Sequence, residues 1–334
     1  MSVFPARHAV RYSRHVLHMG SACILGPHMN ARVLDGTAIA AQIKAKVKDQ
    51  VAELQAQGVR PGLAVVLVGS DAASEIYVRN KVKACGDVGI YSELITPDAT
   101  ISTADILQLI DGLNARDDID GILVQLPLPR QIETRRVLES VSPDKDVDGF
   151  HPLNVGRLQS EQDCLAPCTP AGVLEVLRRS EIPLAGAEVV MVGRSDIVGK
   201  PASTMLLNAG ATVTVCHAGT RDLASHTRRA DILVVAVGKP GLIRTDMVRP
   251  GAVLIDIGIN RITNADDVER FFPGDAARAA TFARRGAVVM GDMDPAAYAL
   301  SSAYTPVPGG VGALTIAMLM QNTVKAARLR RRLL

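Results

Sequence analysis

The strongest constraint on the fold is a run of four apolar residues, Val189 to Val192, that ends at Gly193 and is followed by Arg194-Ser195-Asp196-Ile197-Val198-Gly199. An uninterrupted apolar run reads as a strand buried on both faces of a parallel sheet. The glycine-bounded turn then opens a helical pattern from about Val198 to Asn208. Parallel strands need such crossovers, and the crossovers are right-handed, so one strand-turn-helix unit commits its neighbours to the same architecture. Thr212 to Cys216, Asp231 to Val237 and Val253 to Ile257 repeat the strand pattern, which predicts a doubly wound sheet.

The first half of the chain carries the same alternation. Leu63 to Val68 and Ile122 to Leu126 read as buried strands and Ile90 to Ile95 as a third, with helices around Ser74 to Cys85 and Thr103 to Leu113 between them. Ahead of these, Ile39, Ile43, Val47, Val51 and Leu54 recur at helical spacing until Gly58 stops the pattern. A chain of 334 residues is long for one core, so two α/β domains are expected. We assign residues 31–150, closed by about 305–334, to an N-terminal catalytic domain and residues 151–304 to a Rossmann-type nucleotide-binding domain. The final helix, through Leu314, Met318 and Asn322, is expected to pack back on the first domain. Residues 264–286, rich in charge, Ala and Gly, read as a surface insertion.

Residues 1–30 differ in composition, with Arg7, Arg11, Arg14 and four histidines and no acid before Asp35. They read as a disordered extension upstream of a natural start at Met29, or as a transit-like segment that would make the protein organellar rather than cytoplasmic. The formal net charge of +3 is concentrated in Arg328, Arg330, Arg331 and Arg332, read as a solvated helix end. With aromatics at only 3%, the stacking platform of a nucleic-acid binder is missing. No apolar run reaches the roughly 18 to 20 residues that span a bilayer, so no membrane association is expected. Five scattered cysteines without a paired CxxC spacing point to a reduced, cytoplasmic setting and no structural metal.

The turn at Gly193 has the setting of a pyrophosphate cradle, although its spacing departs from GxGxxG by one residue. Gly193 permits a tight turn, the small Ser195 lets backbone approach phosphate, and free amides at the helix start supply donors and positive potential. The competing reading is that the glycines only tighten a β-α turn. NAD enzymes place an acid at the end of the next strand, whereas here the strand ends Val215-Cys216-His217. With Arg194 beside the turn, that favours a 2′-phosphate and therefore NADP.

Tyr77 and Lys81 lie four residues apart, on one face of a helix. Short-chain dehydrogenases use such a pair downstream of their nucleotide motif. Here it precedes the motif by a whole domain, and alone it would read as a surface contact. Three further segments are not demanded by folding: Leu123-Val124-Gln125-Leu126-Pro127-Leu128-Pro129, Pro143-Asp144-Lys145-Asp146-Val147-Asp148-Gly149-Phe150 and Thr305-Pro306-Val307-Pro308-Gly309-Gly310-Val311-Gly312. They put Gln125 at the carboxyl end of a strand and Asp148 in a loop near the domain junction, where ligands of open α/β sheets bind.

From about Val33 to Ala327 the chain closely resembles the bifunctional methylenetetrahydrofolate dehydrogenase/cyclohydrolase family. The resemblance implies that Tyr77, Lys81, Gln125 and Asp148 occupy the folate site and that Gly193, Arg194, Ser195 and Ile259 contact NADP. It also implies a homodimer, oxidation of 5,10-methylenetetrahydrofolate by NADP, and hydrolysis of the methenyl product to 10-formyltetrahydrofolate. Lys81, oriented by Gln125 and Tyr77, would manage the proton transfers, and Asp148 would hold the amino-pyrimidine edge of the pterin. Two departures stand out: Ala218, where some relatives carry serine near the 2′-phosphate, and Ala313-Leu314 in place of Pro-Met, which would alter the pocket wall. The alternatives left open are a silent binding module and a dehydrogenase for an amino or hydroxy acid.

Overall fold

The computed structural model describes residues 31–333, and the N-terminal extension discussed above lies outside them. A two-residue strand, β1 (Arg32–Val33), leads into α1 (Gly36–Ala56), whose first turn is capped by the Asp35 carboxylate accepting from the Ala38 amide. The spacing of Ile43, Val47, Val51 and Leu54 buries one face of α1, and Gly58 follows with a positive φ. The first sheet is then built from β2 (Gly62–Val66), α2 (Ala72–Val88), β3 (Tyr91–Ile95), α3 (Thr103–Ala115) and β4 (Gly121–Val124). Its three strands are parallel, in the order β3-β2-β4. All residues of β2 and β4 are buried, as their unbroken apolar runs require.

Helices α4 (Thr134–Ser140), α5 (Pro152–Gln159) and α6 (Cys168–Arg179) lead into the second sheet. There β5 (Glu188–Val192), α7 (Gly199–Asn208), β6 (Thr212–Cys216), α8 (Leu223–Thr227), β7 (Ile232–Val235) and β8 (Val253–Asp256) follow the expected alternation. After them come β9 (Asn260–Ile262), α9 (Ala265–Phe271), α10 (Ala276–Arg285), β10 (Val288–Met290), α11 (Pro295–Tyr298) and β11 (Ala303–Tyr304). The six-stranded sheet is parallel throughout, in the order β1-β11-β8-β7-β5-β6. β1 therefore pairs into the second sheet, although its residues precede the whole of the first.

The last helix, α12 (Val311–Arg331), packs against α1 and α6, with Leu314, Ala317, Leu319, Met320 and Val324 buried. Each fully buried side chain of leucine size stabilises the fold by about 1.5–3 kcal/mol, so this helix closes the core. Its basic end is not the solvated terminus that the sequence suggested. Arg330 and Arg331 both reach Asp120, which is fully buried and also accepts from the Gly62 amide. The two guanidiniums thus supply the charge that the buried Asp120 needs, and they fasten the end of α12 to the first sheet. Leu314 is also wholly buried, beside Gly172 of α6, so the Ala313-Leu314 departure alters helix packing rather than a pocket wall.

Residues 264–286 are ordered by their own apolar cluster, Val268 and Phe271 with Ile262, Val288 and Met290 across the antiparallel β9-β10 pair. Arg278 lies over the Phe272 ring and donates to the carbonyls of Val289 and Val307 at 2.5 and 2.9 Å. Residues 264–286, read from the sequence as a surface insertion, are thus docked on the Thr305–Gly312 turn, and α10 has no buried residue. No helix among the described residues is long and apolar enough to cross a membrane.

Candidate active site

Asp71 caps α2 by accepting from the Ser74 amide, and this helix carries Tyr77 and Lys81 one turn apart. Lys81 Nζ donates to Gln125 Oε1 at 3.1 Å. Gln125 directly follows β4. Its amide donates to Val66 O at 2.8 Å and its Nε2 to Leu126 O at 2.7 Å, which turns Oε1 toward the ammonium. The Leu126-Pro127 bond is cis. Tyr77 remains 40% exposed, and its hydroxyl has no hydrogen-bond partner among the described residues. The protein around it pushes the phenol pKa up. Gln125 alone therefore orients Lys81 here; Tyr77 shares the face without bonding to it.

In the Asp144–Gly149 loop, alternate charges do different work. Lys145 is 3% exposed and donates to the carbonyls of Leu113, Asn114 and Arg116 at 3.1, 2.8 and 2.5 Å, closing the C-terminal end of α3. Burial, aided by Arg330, lowers its pKa to about 8. Asp146 is buried and accepts from the amides of Phe150 and His151 and from Asn154 Nδ2. Burial pushes its pKa up. With both neighbours committed to structure, Asp148 makes no hydrogen bond among the described residues and keeps a partly open surface. The surrounding protein raises its pKa to about 6; Lys81 opposes that rise and Asp146 adds to it. Lys81, Gln125 and Asp148 thus form one electrostatic group.

At the second sheet, Gly193 has a φ of 127°, and a Cβ there would lie 2.2 Å from the Ala236 carbonyl oxygen. A Cβ at Gly199 would lie 2.3 Å from Gly193 O, so both glycines are required by close backbone approach. Ser195 does more than keep the turn small. Its Oγ accepts from the amides of Val198 and Gly199, each at 3.2 Å, so these two amides at the helix start are not free. The amides of Arg194, Ser195, Asp196 and Ile197 have no acceptor among the described residues, nor has the exposed Arg194 guanidinium. These are the donors a pyrophosphate cradle needs. At the end of β6, His217 Nδ1 accepts from the Gly219 amide at 3.0 Å. Ile259 is 50% exposed after β8, with its Cδ1 3.4 Å from the place a Gly312 Cβ would take.

Two buried carboxylates that sequence reasoning missed shape this side. Asp292 is fully buried and accepts from the amides of Val237, Gly238 and Lys239 at 2.6–3.0 Å and from Asn260 Nδ2 at 2.8 Å. Asp256 accepts from the amides of Gly258, Asp292 and Met293 and from the Tyr298 hydroxyl at 2.8–3.0 Å. Burial pushes its pKa to about 6. Together they tie the loops after β7 and β8 in place. The available signal was a polar residue ending an apolar run, as Asp256 does after Val253-Leu254-Ile255. Two cavities of about 670 and 590 Å³ are lined by none of Tyr77, Lys81, Gln125, Asp148, Gly193, Arg194, Ser195 and Ile259; Tyr298 lines the larger of the two.

A doubly wound domain with an open amide turn, joined to a smaller α/β domain that presents a lysine, a glutamine and a carboxylate, defines a two-domain dinucleotide-dependent dehydrogenase. The lineage is more specific. Residues 34–148 match the model of the tetrahydrofolate dehydrogenase/cyclohydrolase catalytic domain, and residues 167–331 match that of its NAD(P)-binding domain. The bifunctional protein FolD of Koribacter versatilis is 61% identical over 303 residues, covering 91% of this chain and 99% of that protein. The solved bifunctional FolD enzyme of Campylobacter jejuni is 45% identical with a TM-score of 0.82, over 90% of this chain and 99% of that one. The Trypanosoma brucei methylenetetrahydrofolate dehydrogenase-cyclohydrolase, solved with NADP cofactor and an inhibitor, is 35% identical with a TM-score of 0.81, over 90% and 99%. The chain belongs to the tetrahydrofolate dehydrogenase/cyclohydrolase family. The residues matched by the NAD(P)-binding-domain model, 167–331, include 264–286.

Proposed function

We propose that the chain oxidises 5,10-methylenetetrahydrofolate to the 5,10-methenyl form with NADP and hydrolyses the product to 10-formyltetrahydrofolate, through Lys81, Gln125 and Asp148. The observation that carries this reading is the Lys81 ammonium held on Gln125 Oε1 with the Asp148 carboxylate in electrostatic reach. The residues of the second domain fit NADP: the glycine positions admit no side chain, four amides and Arg194 are open to an anion, and no carboxylate ends β6 to repel a 2′-phosphate. Bound there, the nicotinamide supplies the hydride acceptor.

Asp148 accepts from the donor-rich amino-pyrimidine edge of the pterin, fixing the one-carbon bridge between N5 and N10 in place. The Tyr77 ring lies beside the folate as an amphipathic wall. In the hydrolytic step, water adds to the methenyl carbon and releases one proton to solvent, giving a neutral carbinolamine; its hydroxyl then gives up its proton to form the formyl C=O on N10 while the carbon–N5 bond breaks and N5 takes up a proton. Lys81 Nζ, aimed by Gln125, carries the proton between these atoms. Gly193, Arg194, Ser195 and Ile259 form the cofactor side. The domain division we propose is 31–150 with about 305–334 for folate and 151–304 for the nucleotide, with β1 crossing to the second sheet.

A homodimer through the nucleotide domain is supported by the open edge of the large sheet, where the edge strand β6 leaves Val215 40% exposed and α7 leaves Leu207 53% exposed. Four described cysteines, buried and unpaired, suit a reducing cytoplasm. The function is tested by mixing the protein with 5,10-methylenetetrahydrofolate and NADP or NAD while following reduced nicotinamide and methenyl absorbance together. NADP-dependent reduction without lasting methenyl accumulation is expected. No reduction with either cofactor would leave a silent binding module.

A further inference from the structure

We infer that Asn322 of α12 is a positioning residue for folate binding, holding the backbone from which Asp148 projects. Asn322 is 6% exposed, in a helix contact where a leucine would fill the same space. Its Nδ2 donates to Val147 O and to Ala166 O, both at 2.8 Å, so both amide protons are used to join two chain segments. Val147 O also accepts from Cys168 Sγ at 3.2 Å. That carbonyl belongs to the peptide group whose nitrogen is Asp148's own, so fixing its plane fixes the direction in which the Asp148 side chain leaves the backbone. On the other side, Gly149 has a φ of 72°, and a Cβ there would lie 2.5 Å from Pro167 N. The loop is therefore pressed against residues 165–167, the segment that Asn322 holds. The first turn of the same helix meets Ile259 at Gly312, so α12 touches both the folate and the nucleotide sides.

The inference rests on the assignment of Asp148 to folate proposed above, and the test separates the two. Asn322→Leu, Cys168→Ala, Cys168→Ser and Asp148→Ala are compared with the parent for KM and kcat on 5,10-methylenetetrahydrofolate, NADP affinity and thermal unfolding. Asn322→Leu is expected to raise the folate KM on the order of tenfold, with kcat changed less and NADP affinity retained, because loss of the tether lets Asp148 drift. Cys168→Ala, which removes the weaker donor to Val147 O together with the 3.6 Å contact from Asn322 Nδ2 to Sγ, should raise KM about twofold, and Cys168→Ser should restore it. An Asn322→Leu protein with lowered stability but unchanged KM would reduce the residue to a packing role and overturn the inference. Should that variant not fold, an unchanged KM in Cys168→Ala overturns it equally. An unchanged KM in Asp148→Ala would instead remove the folate assignment, and the inference with it.

Discussion

The two halves of the site solve recognition with different materials. On the first sheet the working groups we propose are side chains: Lys81 on Gln125, with Asp148 left without a hydrogen bond among the described residues, after the structural Lys145 and Asp146. On the second sheet they are backbone amides around Gly193, and the side chains that matter, Asp256 and Asp292, are buried behind the loops. Phosphate carries a fixed, diffuse charge that a ring of N–H dipoles suits without any proton moving. The folate reaction moves protons, so it needs titratable groups in a cleft that can shift their charge state.

Several substitutions break or sharpen that contrast. The largest effect is expected from Lys81→Met, which should lower methenyl hydrolysis by about 10³-fold while NADP binding and folding persist; stopped-flow absorbance at the methenyl band measures it. Normal hydrolysis in that variant would remove Lys81 from the mechanism. Next is Gly193→Ala, which forces a Cβ against Ala236 O and should weaken NADP on the order of 100-fold, read by fluorescence titration, with methenyl hydrolysis little changed. Equal loss of both activities would mean that the two sides are not separable.

A smaller effect is expected from Asp292→Asn, which keeps the shape but gives up charge-assisted bonds to three amides, for about 2 kcal/mol of unfolding free energy in urea and a parallel loss of NADP affinity. The smallest is a pH effect. The pKa of Asp148 is raised to about 6, so its ionised form is lost as pH falls through that value, and the folate KM should rise below pH 6 while the NADP KM stays flat. The sign for stability is the opposite. The folded state favours the protonated acid, so this group's contribution to stability is present at low pH and lost as pH rises through about 6. Asp148→Asn should flatten the folate profile at a KM about tenfold higher.

Much of this was readable in advance, and the exceptions share a cause. The strands at Leu63, Ile122, Val189 and Val253 were legible because parallel sheets buried on both faces leave continuous apolar runs. The Gly193 turn was legible because its glycines answer a local backbone demand. Ser195 was read only as a small residue, since its capping of the Val198 and Gly199 amides depends on where the helix begins. The arginines of α12 looked solvated because their partner, Asp120, is some 210 residues away in sequence. For the same reason Asp256, Asp292 and Asn322 gave little sign of their roles: a buried polar group is defined by its partners, and apart from the Gly258 amide on Asp256 these partners are distant in sequence.

By itself the sequence determined the alternation of strands and helices, the two sheets they must form, and the motif segments that carry Lys81, Gln125, Asp148 and Gly193. Each of these follows from periodicity or from a turn residue within a few positions, where short-range sterics and burial dominate. Only the tertiary structure decided that β1 joins the second sheet, that Gln125 rather than Tyr77 aims Lys81, that Lys145 and Asp146 are structural while Asp148 is free, and that residues 264–286 brace the Thr305–Gly312 turn. Charge state and hydrogen-bond pairing depend on how much water the surrounding chain removes, and that is settled only when distant segments meet.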